Sequence, residues 1–116
     1  MSNAILLEKS FHFSLEIIDL YYEMIQNKEF TISNQILRSG TSIGANVRES
    51  RFAESSNDFI HKLKIAQKEC NETLYWLELI KCSNKLNYKT DSLYFHCDEL
   101  LKILCSTIIT CKRKFN

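Results

Sequence analysis

Glu69 and Glu72, three residues apart on one helical face, are the side chains best spaced to begin a carboxylate metal site. Bundle di-iron centres draw further ligands from Glu-x-x-His pairs, and no histidine stands three residues after either glutamate. His96 and Cys97 are adjacent, so on a helix they point about 100° apart and do not share an ion. The five cysteines (Cys70, Cys82, Cys97, Cys105 and Cys111) are odd in number and include no C-x-x-C pair. They read as reduced structural thiols, three of them on apolar stripes. His12, His61 and His96 fall on three different helices, and none has a nucleophile placed to form a catalytic dyad. The expectation is therefore no enzyme, no metal, no cofactor and no small-molecule substrate. Glu69 and Glu72 are expected instead to pair with Arg38, satisfying charges that are partly buried.

Arg38-Ser39-Gly40-Thr41-Ser42-Ile43-Gly44-Ala45-Asn46 holds both glycines of the chain. Each costs up to about 1 kcal/mol relative to alanine inside a helix. A phosphate-binding loop is excluded, because such loops present free N–H groups at a helix start together with Gly-Lys-Ser/Thr. Gly40 and Gly44 are four apart and lie on one face among small residues, which predicts close approach by another helix. Folding the second helix back on the third places Gly44 opposite Ala66 and Gly40 beside Cys70. The packing motif comprises Arg38, Ser39, Gly40, Ser42, Gly44, Asn46, Ala66, Glu69 and Glu72.

The 116 residues contain no proline and two glycines, which removes the turn-rich β-sandwiches and barrels. A hydrophobic content of 45% with thirteen aromatic residues argues against disorder. No apolar run approaches the roughly 20 residues needed to span a bilayer. Glu8, Lys9 and His12 interrupt what would be the apolar core of a secretory signal. A soluble cytoplasmic protein is expected, and Ser2-Asn3-Ala4 resembles a cloning scar.

Four amphipathic segments follow from the periodicity. In the first, about 8–27, Leu7, Phe11, Leu15, Ile18, Tyr22 and Ile25 share one face, widened by Phe13, Ile17, Leu20, Tyr21 and Met24. The second, about 32–53, is capped by Thr31 and carries Ile32, Ile36, Ile43 and Val47. Ser55 and Asp58 form a capping box at the start of the third, about 56–81. Its stripe is Phe59, Leu63, Ala66, Cys70, Thr73, Leu77 and Ile80. The fourth, about 91–113, is capped by Thr90 or Asp91 and buries Leu93, Cys97, Leu100, Leu104, Ile108 and Cys111. Helices of about 30 Å joined by short loops predict one domain: an all-α, antiparallel up-down-up-down four-helix bundle.

Leu37 to Asn46, then Asp58-Phe59, then Lys68-Glu69-Cys70-Asn71-Glu72-Thr73-Leu74-Tyr75-Trp76-Leu77, resemble the signature of the four helix bundle proteins encoded in intervening sequences of bacterial 23S ribosomal RNA genes. Glu8-Lys9-Ser10-Phe11 fits as well, so the resemblance spans nearly the whole chain. It implies an antiparallel bundle that assembles into a ring-like homo-oligomer, commonly a pentamer, a bacterial source, and no established enzymatic activity. A cousin, the accessory variability protein of diversity-generating retroelements, is highly basic and binds nucleic acid and a reverse transcriptase. This sequence departs from that cousin, with a net charge of +1.

Two functions follow. The first is a non-enzymatic homo-oligomeric assembly module whose surplus apolar residues, Phe13, Tyr21, Trp76 and Leu79, form the interface. The alternative is a nucleic-acid-binding accessory protein, for RNA or DNA. Residues 1–80 carry 8 basic and 11 acidic side chains, and residues 81–116 carry 7 and 3. The basic set is Lys81, Lys85, Lys89, Lys102, Lys112, Arg113 and Lys114, and phosphate binding requires several of these on one face.

Overall fold

Apolar residues at helical spacing, with no proline to interrupt them, fold into four long helices. The computed structural model describes residues 4–115, so Ser2 and Asn3 lie outside the described residues. The elements are α1 (Ala4–Gln26), α2 (Thr31–Ser50), α3 (Ser56–Cys82) and α4 (Asp91–Phe115). There is no strand among the described residues. Each helix packs on the next in sequence and α4 closes against α1, while the diagonal pairs α1/α3 and α2/α4 do not pack. The result is an all-α four-helix bundle with extents of 48 × 22 × 19 Å. The seam between α1 and α4 is the loosest of the four. None of these helices is long and apolar enough to cross a membrane.

The stripes of α3 and α4 point inward, from Leu63 to Ile80 and from Leu93 to Cys111. In α1 the widening residues Phe13, Ile17, Leu20 and Met24 point inward, while the central line of the expected face is turned outward. The buried line is Leu6, Ser10, Phe13, Ile17, Leu20 and Met24. Phe11, Leu15 and Tyr22 are 52%, 46% and 57% exposed. The helix carries two apolar lines offset by one or two residues, and the line interrupted by Ser10 enters the core, where its Ile17 and Ser10 lie beside Gly40 and Gly44 of α2.

The helix ends also differ from expectation. Thr31 does not cap α2; the Glu29 carboxylate accepts from the N–H groups of Thr31, Ile32 and Ser33 at 3.3, 2.7 and 3.0 Å. A longer acidic side chain thus satisfies three orphan donors and sits favourably at the positive end of the helix. In α3, Ser55 Oγ accepts the Asp58 N–H (3.0 Å), and Asp58 accepts the Glu54 N–H (3.0 Å) rather than that of Ser55.

After α1 the chain reverses with Lys28 at φ 63°. The Glu29 N–H bonds to the Met24 carbonyl and the Lys28 N–H to the Ile25 carbonyl, both at 3.0 Å, which is a Schellman ending. Glycine normally fills this left-handed position, where an L side chain is strained by about 1 kcal/mol. Lys28→Gly is therefore expected to stabilise the fold by about 1 kcal/mol, raising the calorimetric Tm by roughly 4 °C.

Candidate functional site

The two glycines mark a close approach of α2 to α1, not to α3. A methyl group added at Gly40 would lie 2.8 Å from Ile17 Cγ1, and one at Gly44 would lie 3.2 Å from the Ser10 carbonyl oxygen and 3.3 Å from Ser14 Oγ. The expected pairings of Gly44 with Ala66 and Gly40 with Cys70 are corrected accordingly; Ala66 and Cys70 are fully buried in the core. Helical period shows which residues share a face but not which neighbour that face meets. The missed signal is on α1, where Ser10 and Ser14 repeat at the same four-residue interval and complement Gly44.

The remaining polar residues of the motif are satisfied within α2. Thr41 donates to the Leu37 carbonyl (2.7 Å), Ser42 to the Arg38 carbonyl (2.6 Å) and Asn46 to the Ser42 carbonyl (2.8 Å). Toward α3, Ser39 Oγ and Thr73 Oγ1 lie 2.8 Å apart, a hydroxyl contact between two fully buried residues. Just outside this contact, Arg38 Nη1 donates to Glu69 at 3.1 Å and Nη2 donates to Glu72. Trp76 Nε1 donates to Glu72 at 3.1 Å. The cluster thus fastens α2 to α3 by a guanidinium held between two carboxylates, one of which also anchors the indole.

Burial pushes the Glu72 carboxyl upward, but the hydrogen bonds from Arg38 and Trp76 and the guanidinium charge outweigh it, so its pKa lies below the usual carboxylate range. A depressed carboxylate stabilises the fold above its unfolded pKa of about 4.3, and the stabilisation fades as pH falls through the lower folded value. Scanning calorimetry from pH 6 to pH 3 is expected to show the native chain losing more Tm than Glu72→Gln, which has no proton to gain there.

The other reactive side chains sit apart. His96 Nδ1 lies 2.9 Å from Glu16 across the α1–α4 seam. Cys70, Cys97 and Cys111 are buried. The Cys70 thiol contacts Cys97, and this hydrogen bond together with burial pushes its pKa far up, keeping it protonated. Among the described residues, no group of three or more His, Cys, Asp or Glu side chains is placed to hold a metal ion.

Of the four expected interface residues, Phe13 is 1% exposed and belongs to the core. It sits on the α1 line that turned inward. Tyr21 and Trp76 are half-buried and Leu79 is exposed. The exposed apolar surface is the line expected in the core: Leu7, Phe11, Leu15, Ile18, Tyr22 and Ile25 run along the outside of α1, fully or partly exposed. Gly44, Ala45 and Arg48 of α2 border it, forming with Leu7, Ser10, Phe11 and Ser14 a groove of about 280 Å³.

The basic set of the C-terminal third is dispersed rather than gathered on one face. Lys81, Lys85 and Lys89 lie at the α3–α4 turn, while Lys112, Arg113 and Lys114 end α4. The length of α4, about 35 Å at 1.5 Å per residue, separates the two groups. Lys81 is paired with Asp91 at 2.6 Å and Lys102 with Asp98 at 3.0 Å. Proximity in sequence does not survive a helix that carries its two ends to opposite ends of the bundle.

These features define a small all-helical bundle with a tight α1–α2 crossing, a charge-clasped α2–α3 pair and an uncovered apolar line on α1. The chain belongs to the 23S rRNA-intervening sequence protein family, whose pattern matches residues 2–106. It is also similar to a solved structure from Bacteroides thetaiotaomicron, a protein of unknown function from the S23 ribosomal protein family. The identity is 45%, the TM-score is 0.87, and the match covers 93% of this chain and 98% of that one. None of the curated proteins matches the chain.

Proposed function

We propose that the chain is a non-enzymatic assembly module that associates with further copies of itself through the outer line of α1. The observation that carries this reading is the exposure of Phe11, Leu15 and Tyr22 on a line whose steps of four and three residues persist from Leu7 to Ile25. That spacing is the one a partnering helix interdigitates with. Fully burying such a side chain is worth about 1.5–3 kcal/mol, so leaving Phe11, Leu15 and Tyr22 about half in water is costly for an isolated bundle.

A second apolar patch supports a ring. Tyr75 and Leu79 are 55% and 37% exposed on α3, and α3 stands diagonally across the bundle from α1. Two different patches on opposite sides suit a head-to-tail contact, in which one surface of a copy meets the other surface of the next and closes by rotation. In this arrangement Leu79 and the half-buried Trp76 belong to the receiving surface, and the ring is the pentamer that the family resemblance implies. The absolute mass in solution tests the reading, as developed in the Discussion.

A further inference from the structure

A concavity of about 690 Å³ lies between the start of α3 and the end of α4, lined by Ser55, Ser56, Asn57, Ile60, His61, Lys64 and Lys112. Along the flanks of the bundle, cations meet carboxylates: Lys9 with Glu99, Lys62 with Glu49, Lys102 with Asp98. Here a cation meets a cation. Lys64 of α3 and Lys112 of α4 both line this space, and neither makes an ion pair with a described residue. Among the described residues, no carboxylate lines the concavity. The nearby Asp58 carboxylate accepts the Glu54 N–H at the helix start and, with Glu49, acts on Lys62 instead.

We propose that this concavity binds a phosphate group, whose negative oxygens lie between the Lys64 and Lys112 ammonium groups. The Ser55 and Ser56 hydroxyls, the Asn57 amide and the His61 imidazole supply further donors around the same space. Arg113 and Lys114 add positive charge in the same last turn of α4. The proximity of Lys112, through its contact and its charge and aided by desolvation, lowers the pKa of Lys64. An anion between the two ammonium groups removes that repulsion, so ligand and lysine charge reinforce each other. The phosphate has two sources, a free phosphate compound or the phosphodiester backbone of a nucleic acid.

Equilibrium dialysis of the full-length chain against radiolabelled pyrophosphate, at constant ionic strength, tests the site whatever the mass of the assembly. Filter binding of a labelled structured RNA forms the second arm. Saturable pyrophosphate binding that weakens about tenfold in Lys64→Gln and in Lys112→Gln is the expected result. Both residues are exposed, so both variants fold, as circular dichroism will show. If RNA is retained, is displaced by pyrophosphate, and loses about two units of its log–log salt slope in the double variant, the source is a nucleic-acid backbone. If pyrophosphate saturates and RNA is not retained, the source is a free phosphate compound. Absence of saturable binding in both arms, or binding unchanged in the double variant, overturns the proposal.

Discussion

Gly40→Leu is expected to destabilise the fold by about 3 kcal/mol, lowering Tm by roughly 12 °C at a fixed protomer concentration. The reason is geometric. Gly40 is buried, and the first carbon of any side chain there would already meet three carbons of Ile17 at 2.8–3.1 Å. Ile17 is itself fully buried, so it has no empty space to move into. A leucine must push α1 away from α2 along the tightest seam on that side of the core. Gly44 is different although it belongs to the same motif. It is half-buried and opens onto the groove beside Phe11, so part of a larger side chain can turn outward. Gly44→Ala should change stability by no more than about 0.5 kcal/mol, because the gain in helix propensity offsets a shift of a few tenths of an ångström. Thermal melts of both variants check this ordering. A Gly40→Leu melt at the native temperature would show that α1 and α2 are not in close contact at that point.

The division between what was legible in the sequence and what was not is clearest in α1 and α2. For α3 and α4, one apolar line dominates each helix, and that line is the one buried. In α1 two lines differ by only one or two residues, and the more continuously apolar one is outside. Ser10 makes the inner line look polar, yet its carbonyl lies where α2 passes at Gly44. Side-chain hydrophobicity ranks faces by what water disfavours; it does not register where backbones must touch. The glycine pair was legible as a packing motif, but its partner was not, since α1 and α3 both flank α2. The end of α1 near residue 27 was legible, but the left-handed turn at Lys28 was not, because a lysine takes the position that glycine usually announces. The Arg38, Glu69 and Glu72 cluster was legible from charge and spacing alone, whereas its link to Trp76 depends on an indole orientation that only the structure supplies. The dispersal of the basic residues required knowing the direction of α4.

The second large effect concerns the outer line of α1. The double variant Phe11→Glu, Leu15→Glu is expected to remain helical and folded but to lose association with other copies. Each carboxylate introduced would have to leave water at the interface with no cation opposite it, and a combined penalty of about 4 kcal/mol weakens the contact roughly a thousandfold. Phe13→Glu, only two residues from Phe11, provides the contrast. Its side chain is 1% exposed within the bundle, so a charge there unfolds the chain instead of dispersing an assembly. Circular dichroism read beside the mass separates the two outcomes.

The most direct test is the absolute mass of the native chain by multi-angle light scattering across a wide range of concentrations. The assembly account predicts a multiple of 13.6 kDa, five copies for the ring, collapsing to a single 13.6 kDa protomer in the Phe11→Glu, Leu15→Glu variant. A native chain that remains at 13.6 kDa at every concentration would contradict it.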